Sequence, residues 1–170
     1  MSVEVLGASH LASEGWEVQR TNNFELTVSG VGETNRLLTL SVDSAFLPDE
    51  NNEEIQLHYG NTLIKVAGKY NVQSGTIAVK DIIQQDVERM IEEWRSTVFN
   101  KETDAVGLAF NYKKQGRIVQ YAPDGTMERT WKLEGLWPQA VRYGDLSYSG
   151  SQAKSIQLTL SYDKAVMVRE

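Results

Sequence analysis

At 170 residues, with 41% hydrophobic and 24% charged content, the chain has the size and composition of one soluble globular domain able to bury a sizeable core. A net charge of −6 and a pI near 5.0 argue against a protein that grips nucleic acid, which needs a basic face, but not against a surface that nucleic acid passes without sticking. The lack of cysteine excludes disulfides, thiolate catalysis and cysteine zinc sites, no apolar run approaches the ~20 residues of a membrane span, and the start lacks the cationic-then-apolar pattern of a secretory signal.

Residues 1–21 read as a flexible N-terminal arm, glycine- and serine-containing, with Trp16 as its one large anchor. Asn23 to Ser29 alternates, with Phe24, Leu26 and Val28 inward. After the turn Gly30-Val31-Gly32, a second strand carries Leu38, Leu40 and Val42. Ala45 to Glu54 reads as a polar loop, and its acids Asp49, Glu50, Glu53 and Glu54 are either a solvated cluster or a contact to a neighbouring assembly layer. Ile55, Leu57 and Tyr59 form a short strand, Gly60-Asn61 a turn and Leu63 to Ala67 its return, with Gly75 to Val79 a further strand.

One helix is expected over about 81–99. Asp81 takes the N-cap position with Gln84 at capping-box spacing. Ile83, Val87, Met90, Ile91, Trp94 and Val98 make the apolar stripe, and Gln85, Glu88, Arg89, Glu92 and Glu93 cover the opposite face. Asn100 to Gln115 reads as a loop with an apolar interlude, Val106 to Phe110. Lys113, Lys114 and Arg117 make a basic trio, read as a solvated turn or a contact to an anionic partner.

The last third is the most informative. Pro123-Asp124-Gly125 is a hairpin turn, with proline fixing φ and glycine supplying a positive one. On the arm that follows, Met127, Trp131 and Leu133 share one face and Glu128, Thr130, Lys132 and Glu134 the other. This arm is expected to stop at the corner Gly135, Leu136, Trp137 and Pro138, because Pro138 cannot donate to a ladder, with Trp137 buried there as a plug. Ile156, Leu158, Leu160 and Tyr162 then alternate with Ser155, Gln157, Thr159, Ser161 and Asp163, which specifies an antiparallel sheet with one dry and one wet face. The whole is mainly β: an antiparallel sandwich or flattened barrel, one domain over 1–170, with one main helix.

Enzyme motifs fail one by one. His10 and His58 lie in unrelated contexts, no Gly-x-Ser-x-Gly elbow precedes a helix, and Gly30-Val31-Gly32 lacks the third glycine and the helix of a dinucleotide fingerprint. No phosphate-binding Gly-Lys-Ser/Thr, helical His-Glu-x-x-His or calcium loop occurs, so no catalytic, cofactor or metal residue is nominated.

The ordered set formed by the strand ending VQYA, its turn, the Gly-Leu-Trp-Pro strand end, the polar link and the final alternating strand resembles the tail tube proteins of T-even-type contractile bacteriophages. Upstream, IKVAGKYNVQSGTIAVKD followed by the helix with Val87 and Trp94 is similar to the same family's strand–strand–helix segment, so the likeness runs with gaps from about Leu63 to Asp163. The resemblance implies a structural virion protein, assembled in the host cytoplasm, whose hexameric rings stack into the inner tail tube and conduct the genome. It implies as partners further copies of itself, the sheath, the tape-measure protein, the baseplate hub and the tail terminator, with double-stranded DNA passing unbound, no cofactor and no membrane insertion. Its lumen would be a wet sheet face, for which Glu128, Thr130, Lys132, Glu134, Gln157, Thr159, Ser161 and Asp163 are the nominations. Asp49, Glu50, Glu53 and Glu54 are the candidate inter-ring loop, or else a lumen-facing patch. Three other readings stand beside it. One is the tube of a related contractile machine, a phage-tail-like bacteriocin or a type VI secretion system. Another is a carbohydrate-binding sandwich, disfavoured because Trp94, Trp131 and Trp137 mostly fall on apolar faces. The third is a sandwich hydrolase with a carboxylate pair, disfavoured because paired acids such as Glu92 and Glu93 sit on a solvated helix face.

Overall fold

The computed structural model describes residues 18–31 and 42–168. Trp16, Leu38, Leu40, His10 and most of the 1–21 segment lie outside the described residues. Of that segment's described end, Gln19 donates its Nε2 to the Tyr121 carbonyl at 3.0 Å.

The elements begin with strands β1 (Phe24–Val28), β2 (Val42–Ser44), β3 (Glu50–Tyr59), β4 (Thr62–Val72) and β5 (Gly75–Lys80). A 3-10 turn at Ile83–Gln85, helix α1 (Val87–Val98), the short strands β6 (Phe99–Asn100) and β7 (Ala105–Val106), and the one-turn helix α2 (Ala109–Tyr112) follow. Strands β8 (Lys114–Tyr121), β9 (Met127–Arg142), β10 (Ser155–Ser161) and β11 (Lys164–Val168) complete the chain. This is the mainly-β antiparallel architecture the alternation specifies, realised as one curled sheet in the order β1-β8-β9-β10-β5-β2, with β11 also on β9.

Strand β9 organises the sheet. Along one side it pairs with β8. Along the other it pairs first with β11, Thr130 to Glu134, and then with β10, Trp137 to Arg142. Two half-sheets therefore share β9 and bend away from each other at its middle. Their inner faces supply Leu26, Val28, Ile118 and Leu133 from one half and Ile77, Val79, Ile156, Leu158 and Leu160 from the other. Helix α1 covers this core with Val87, Met90, Ile91 and Trp94, and Trp94 Nε1 donates to the Tyr112 carbonyl at 2.9 Å.

Against expectation, β9 does not stop at the Gly-Leu-Trp-Pro corner. Lys114 lies opposite Leu136 but Gly116 lies opposite Leu133, so β9 carries one extra residue there, and Gly135 adopts φ +70°. That is a glycine β-bulge, and it resets the alternation. Leu133 and Leu136, three apart, both point inward. Trp137 turns outward and is half-buried, edge-on to Tyr112 with ring centroids 5.8 Å apart. The plug is therefore Leu136, fully buried, and not Trp137. Pro138 is tolerated because it lies opposite Leu160 beside a second register shift.

The helix also starts later than expected. Asp86 has φ 48° and ψ 48°, a left-handed residue that separates the 3-10 turn from α1. The turn before it falls out of phase, so Ile83 is exposed and Ile82 packs on the core in its place. Asp81 does not cap the helix. Its N–H donates to the Lys154 carbonyl at 3.0 Å and its carboxylate pairs with Lys154 Nζ at 3.2 Å. The segment read as a loop from Asn100 to Gln115 holds β6, β7 and α2, with Val106, Leu108 and Phe110 exposed.

Candidate assembly surfaces

The residues from Glu50 to Val72 form a long two-stranded hairpin that pairs only with itself among the described residues. Ile55, Leu57 and Tyr59 lie opposite Val66, Ile64 and Thr62, so these side chains share one apolar face. Gln56 opposite Lys65, and His58 opposite Leu63, take the other. No residue of either strand is buried: Leu57 is 50% exposed and Ile64 49%. An isolated hairpin is marginal in water, and an apolar face this open is the signature of a surface that another chain covers.

The acidic group changes character with it. Glu50, Glu53 and Glu54 stand on β3, and only Asp49 remains in the connecting stretch. Pairing runs further than the apolar alternation because β4 answers the acids. Lys65 Nζ lies 3.1 Å from Glu54, and Tyr70 donates its hydroxyl to Glu50 at 2.8 Å. Burial, then the Glu50 hydrogen bond, raises the Tyr70 pKa. At the hairpin root Gln73 N–H donates to the Asp49 carbonyl at 3.0 Å, and Phe46 stacks on Tyr162 at 5.7 Å.

The nominated lumen residues divide between two outward faces. Glu128, Lys132 and Glu134 are exposed on the β9–β11 half-sheet, together with Lys164, and the half-buried Arg117 and Glu25 share that face. Thr130 is the exception on that face. It is 1% exposed, because β9 is central here and Val119 and Val168 flank it on both sides. Gln157, Thr159 and Ser161 lie on the outward face of the other half-sheet, in register with Arg142, Ala140 and Trp137. Asp163 belongs to neither face. It occupies the break between β10 and β11, beneath Gly135, and Lys113 Nζ grips its carboxylate at 2.6 and 2.9 Å. Of the basic trio, Lys113 is thus a corner clamp.

On the helix side, Glu92 accepts from Lys101 at 2.5 Å and from the Tyr143 hydroxyl, and these two bonds hold its carboxyl below the usual range. Burial, followed by the Glu92 bond, pushes the Tyr143 phenol up to about 12. Lys154 bridges Glu88 and Asp81, tying the β9–β10 connection to the helix N-terminus. These are structural clamps. Among the described residues, no group of three or more His, Asp or Glu converges as metal ligands. Sequence reasoning found the two strands of this hairpin from their alternation but not that their apolar face is left open, and Leu63, opposite His58, adds bulk on the other face.

Comparison with known proteins fits this geometry. The family model for the T4-like virus tail tube protein gp19 matches residues 48–166. The tail tube protein gp19 of Enterobacteria phage T4 is 26% identical over 155 residues, covering 89% of this chain and 93% of that protein. Among solved structures, the anti-feeding prophage tube-terminating cap superposes with a TM-score of 0.71 at 17% identity, over 91% of this chain and 93% of that one. An extracellular contractile injection system in its PVC sheath–tube complex superposes with a TM-score of 0.69 at 16% identity, over 98% and 100%. At these identities the superpositions are a likeness of fold.

Proposed function

This chain belongs to the T4-like virus tail tube protein family, and on that premise we propose that its copies form hexameric rings that stack into the inner tube of a contractile phage tail and conduct the genome into the host. The observation that carries the assembly reading is the β3–β4 hairpin. Its apolar face has no partner within the described chain, and covering Ile55, Leu57, Ile64 and Val66 from near half-exposure, with the more exposed Tyr59, stabilises an interface by about 1 kcal/mol each. We assign that cover to a second copy. The strands β1, β2 and β11, which stand at the edges of the sheet among the described residues, support the same reading, since open strand edges are a hazard that lateral neighbours remove. The acids of β3 stand beside this contact, and we assign them to the contact between stacked rings.

The work of such a protein is self-association and passive surface chemistry, with no covalent step assigned to it. Its other partners would be the sheath, the baseplate hub, the terminator and the tape-measure protein. The related reading, the tube of a contractile injection system, uses the same surfaces and differs in cargo. Electron microscopy of the purified chain, seeded with baseplates or tube ends, is the test. Hollow rods of uniform width with sixfold end views are expected. Monodisperse monomer in the presence of seeds would overturn the proposal.

A further inference from the structure

We infer that Phe46 and Tyr162 are positioning residues for assembly. Phe46 sits in a notch that Gly75 leaves in β5 and stacks on Tyr162. It thereby joins the two chain segments that enter and leave the β3–β4 hairpin, and holds the hairpin at one angle to the body. This rests on the assembly reading above and deepens it.

The chain leaves the body after Ser44, at the end of β2, and returns at Gly75, the start of β5. Among the described residues no strand of the curled sheet pairs with the hairpin, so its angle is set by what joins the two segments at its root. The inward row of β5 is Gly75, Ile77 and Val79, all buried. A side chain at Gly75 would fall inside the Phe46 ring, so Phe46, from the outgoing segment, fills the core position that β5 leaves empty. Leu160 lies opposite Gly75. Tyr162, next along that dry face and 4% exposed, stacks on the Phe46 ring with centroids 5.7 Å and planes 21° apart. Further ties stiffen the root. Gln73 N–H donates to the Asp49 carbonyl across it, and Ser74 Oγ donates to the Gln139 side chain of β9 at 2.8 Å. Val72, paired with Glu50, packs on the core. Pro48 fixes its own φ and confines Leu47 to extended backbone.

A hinged arm sweeps its apolar face over many directions, few of which fit a neighbour. If the fitting direction is populated about a tenth of the time, the apparent dissociation constant rises about tenfold with every contact residue intact. Holding the arm in the fitting direction beforehand removes that loss. The exposed side chains of the hairpin supply the contact, and the aromatic pair at its root supplies the direction in which they are offered.

The chain contains no cysteine, so Asn61→Cys at the hairpin turn and Gln157→Cys on β10 carry two unique spin labels, whose distance reports the hairpin angle in the unassembled protein. One narrow distance is expected in the parent and a broad spread in Phe46→Ala, with the critical concentration for tube growth raised about tenfold. Gly75→Leu added to Phe46→Ala refills the core space from β5 without joining the two segments. It should recover the melting temperature and leave both the broad spread and the raised critical concentration. Tyr162→Phe, which keeps the stacked ring, should match the parent, and Leu136→Ala, a core loss elsewhere, should keep the narrow distance. A narrow distance in Phe46→Ala would overturn the inference. So would a broad spread at the parent's critical concentration, a broad spread in Leu136→Ala, or recovery of assembly by Gly75→Leu, which would make Phe46 core filling and nothing more. Should Phe46→Ala not fold, Tyr162→Leu removes the stack alone and decides by the same readings. A parent chain that gives no tubes sinks the assembly reading instead, and the distances still decide whether the root holds the hairpin.

Discussion

The curled sheet with its helix and the β3–β4 hairpin are built from the same kinds of residue and end in opposite states. In the body, Leu26, Ile77, Ile91, Leu136 and Leu158 are all but withdrawn from water by their own chain. In the hairpin, Ile55, Leu57, Ile64 and Val66 are equally apolar and equally well alternated, yet each stays near half-exposed. Period-two patterning states which side chains want to leave water, not whose atoms will cover them. The body's apolar residues set whether the chain folds, and in the assembly proposed above those of the hairpin set whether folded chains associate.

Charging the hairpin face breaks this comparison most directly. Leu57→Asp with Ile64→Asp should abolish ring and tube formation, read by sedimentation and microscopy, while the melting temperature of the unassembled protein stays that of the parent. A fall in that melting temperature would mean that the hairpin packs on its own body. The reciprocal change is Leu136→Ala. It should destabilise the monomer by about 3 kcal/mol, as expected for a fully buried leucine, measured by urea unfolding. Trp137→Ala should cost less, about 1 kcal/mol, because the ring lies on the outward face, outside the core, and loses mainly its edge contact with Tyr112. If Trp137→Ala proves the worse of the two, the bulge does not set the inward register.

The smallest effect belongs to the body alone. The folded-state pKa of Glu92 is depressed, first by Lys101 and then by Tyr143, so its stabilisation is present above the unfolded value near 4.5 and is lost as pH falls. Tyr143 works in the opposite sense. Raised from 10.0 to about 12, it stabilises below pH 10 and loses that contribution as pH climbs toward 12. Glu92→Gln should lower the melting temperature slightly at neutral pH and converge with the parent in acid. A constant offset across pH would dismiss the ionic origin.

How far the sequence could be read follows the same division. The dry face of β10 was legible because Ile156, Leu158, Leu160 and Tyr162 alternate without interruption, and all four are buried. The Pro123-Asp124-Gly125 turn appears as expected, with Gly125 at φ +87° and Asp124 accepting from Thr126 at 3.0 Å. Two local conformations defeated the reading. The Gly135–Pro138 corner looked like a terminator because of Pro138, but Gly135 is a bulge, and one residue in the left-handed region shifts phase without ending pairing. Asp86 carries nothing in its residue type that marks a left-handed break, so the stripe was extended one turn too far, to Ile83. The acids of β3 looked like a loop because their partners, Lys65 and Tyr70, lie across a hairpin and not beside them in sequence.

Strand β9 also has a mechanical meaning. Its sixteen residues at ~3.3 Å each have a contour of about 50 Å, bent at Gly135, held by β8 from Met127 to Leu136 on one side and by β11 and then β10 on the other. A pull along that strand loads many backbone bonds at once in shear, so none can be unzipped singly. The hairpin has two strands whose open ends separate bond by bond. Under a tensile load the subunit should therefore yield at the hairpin first, and the shared strand should be the last element to let go.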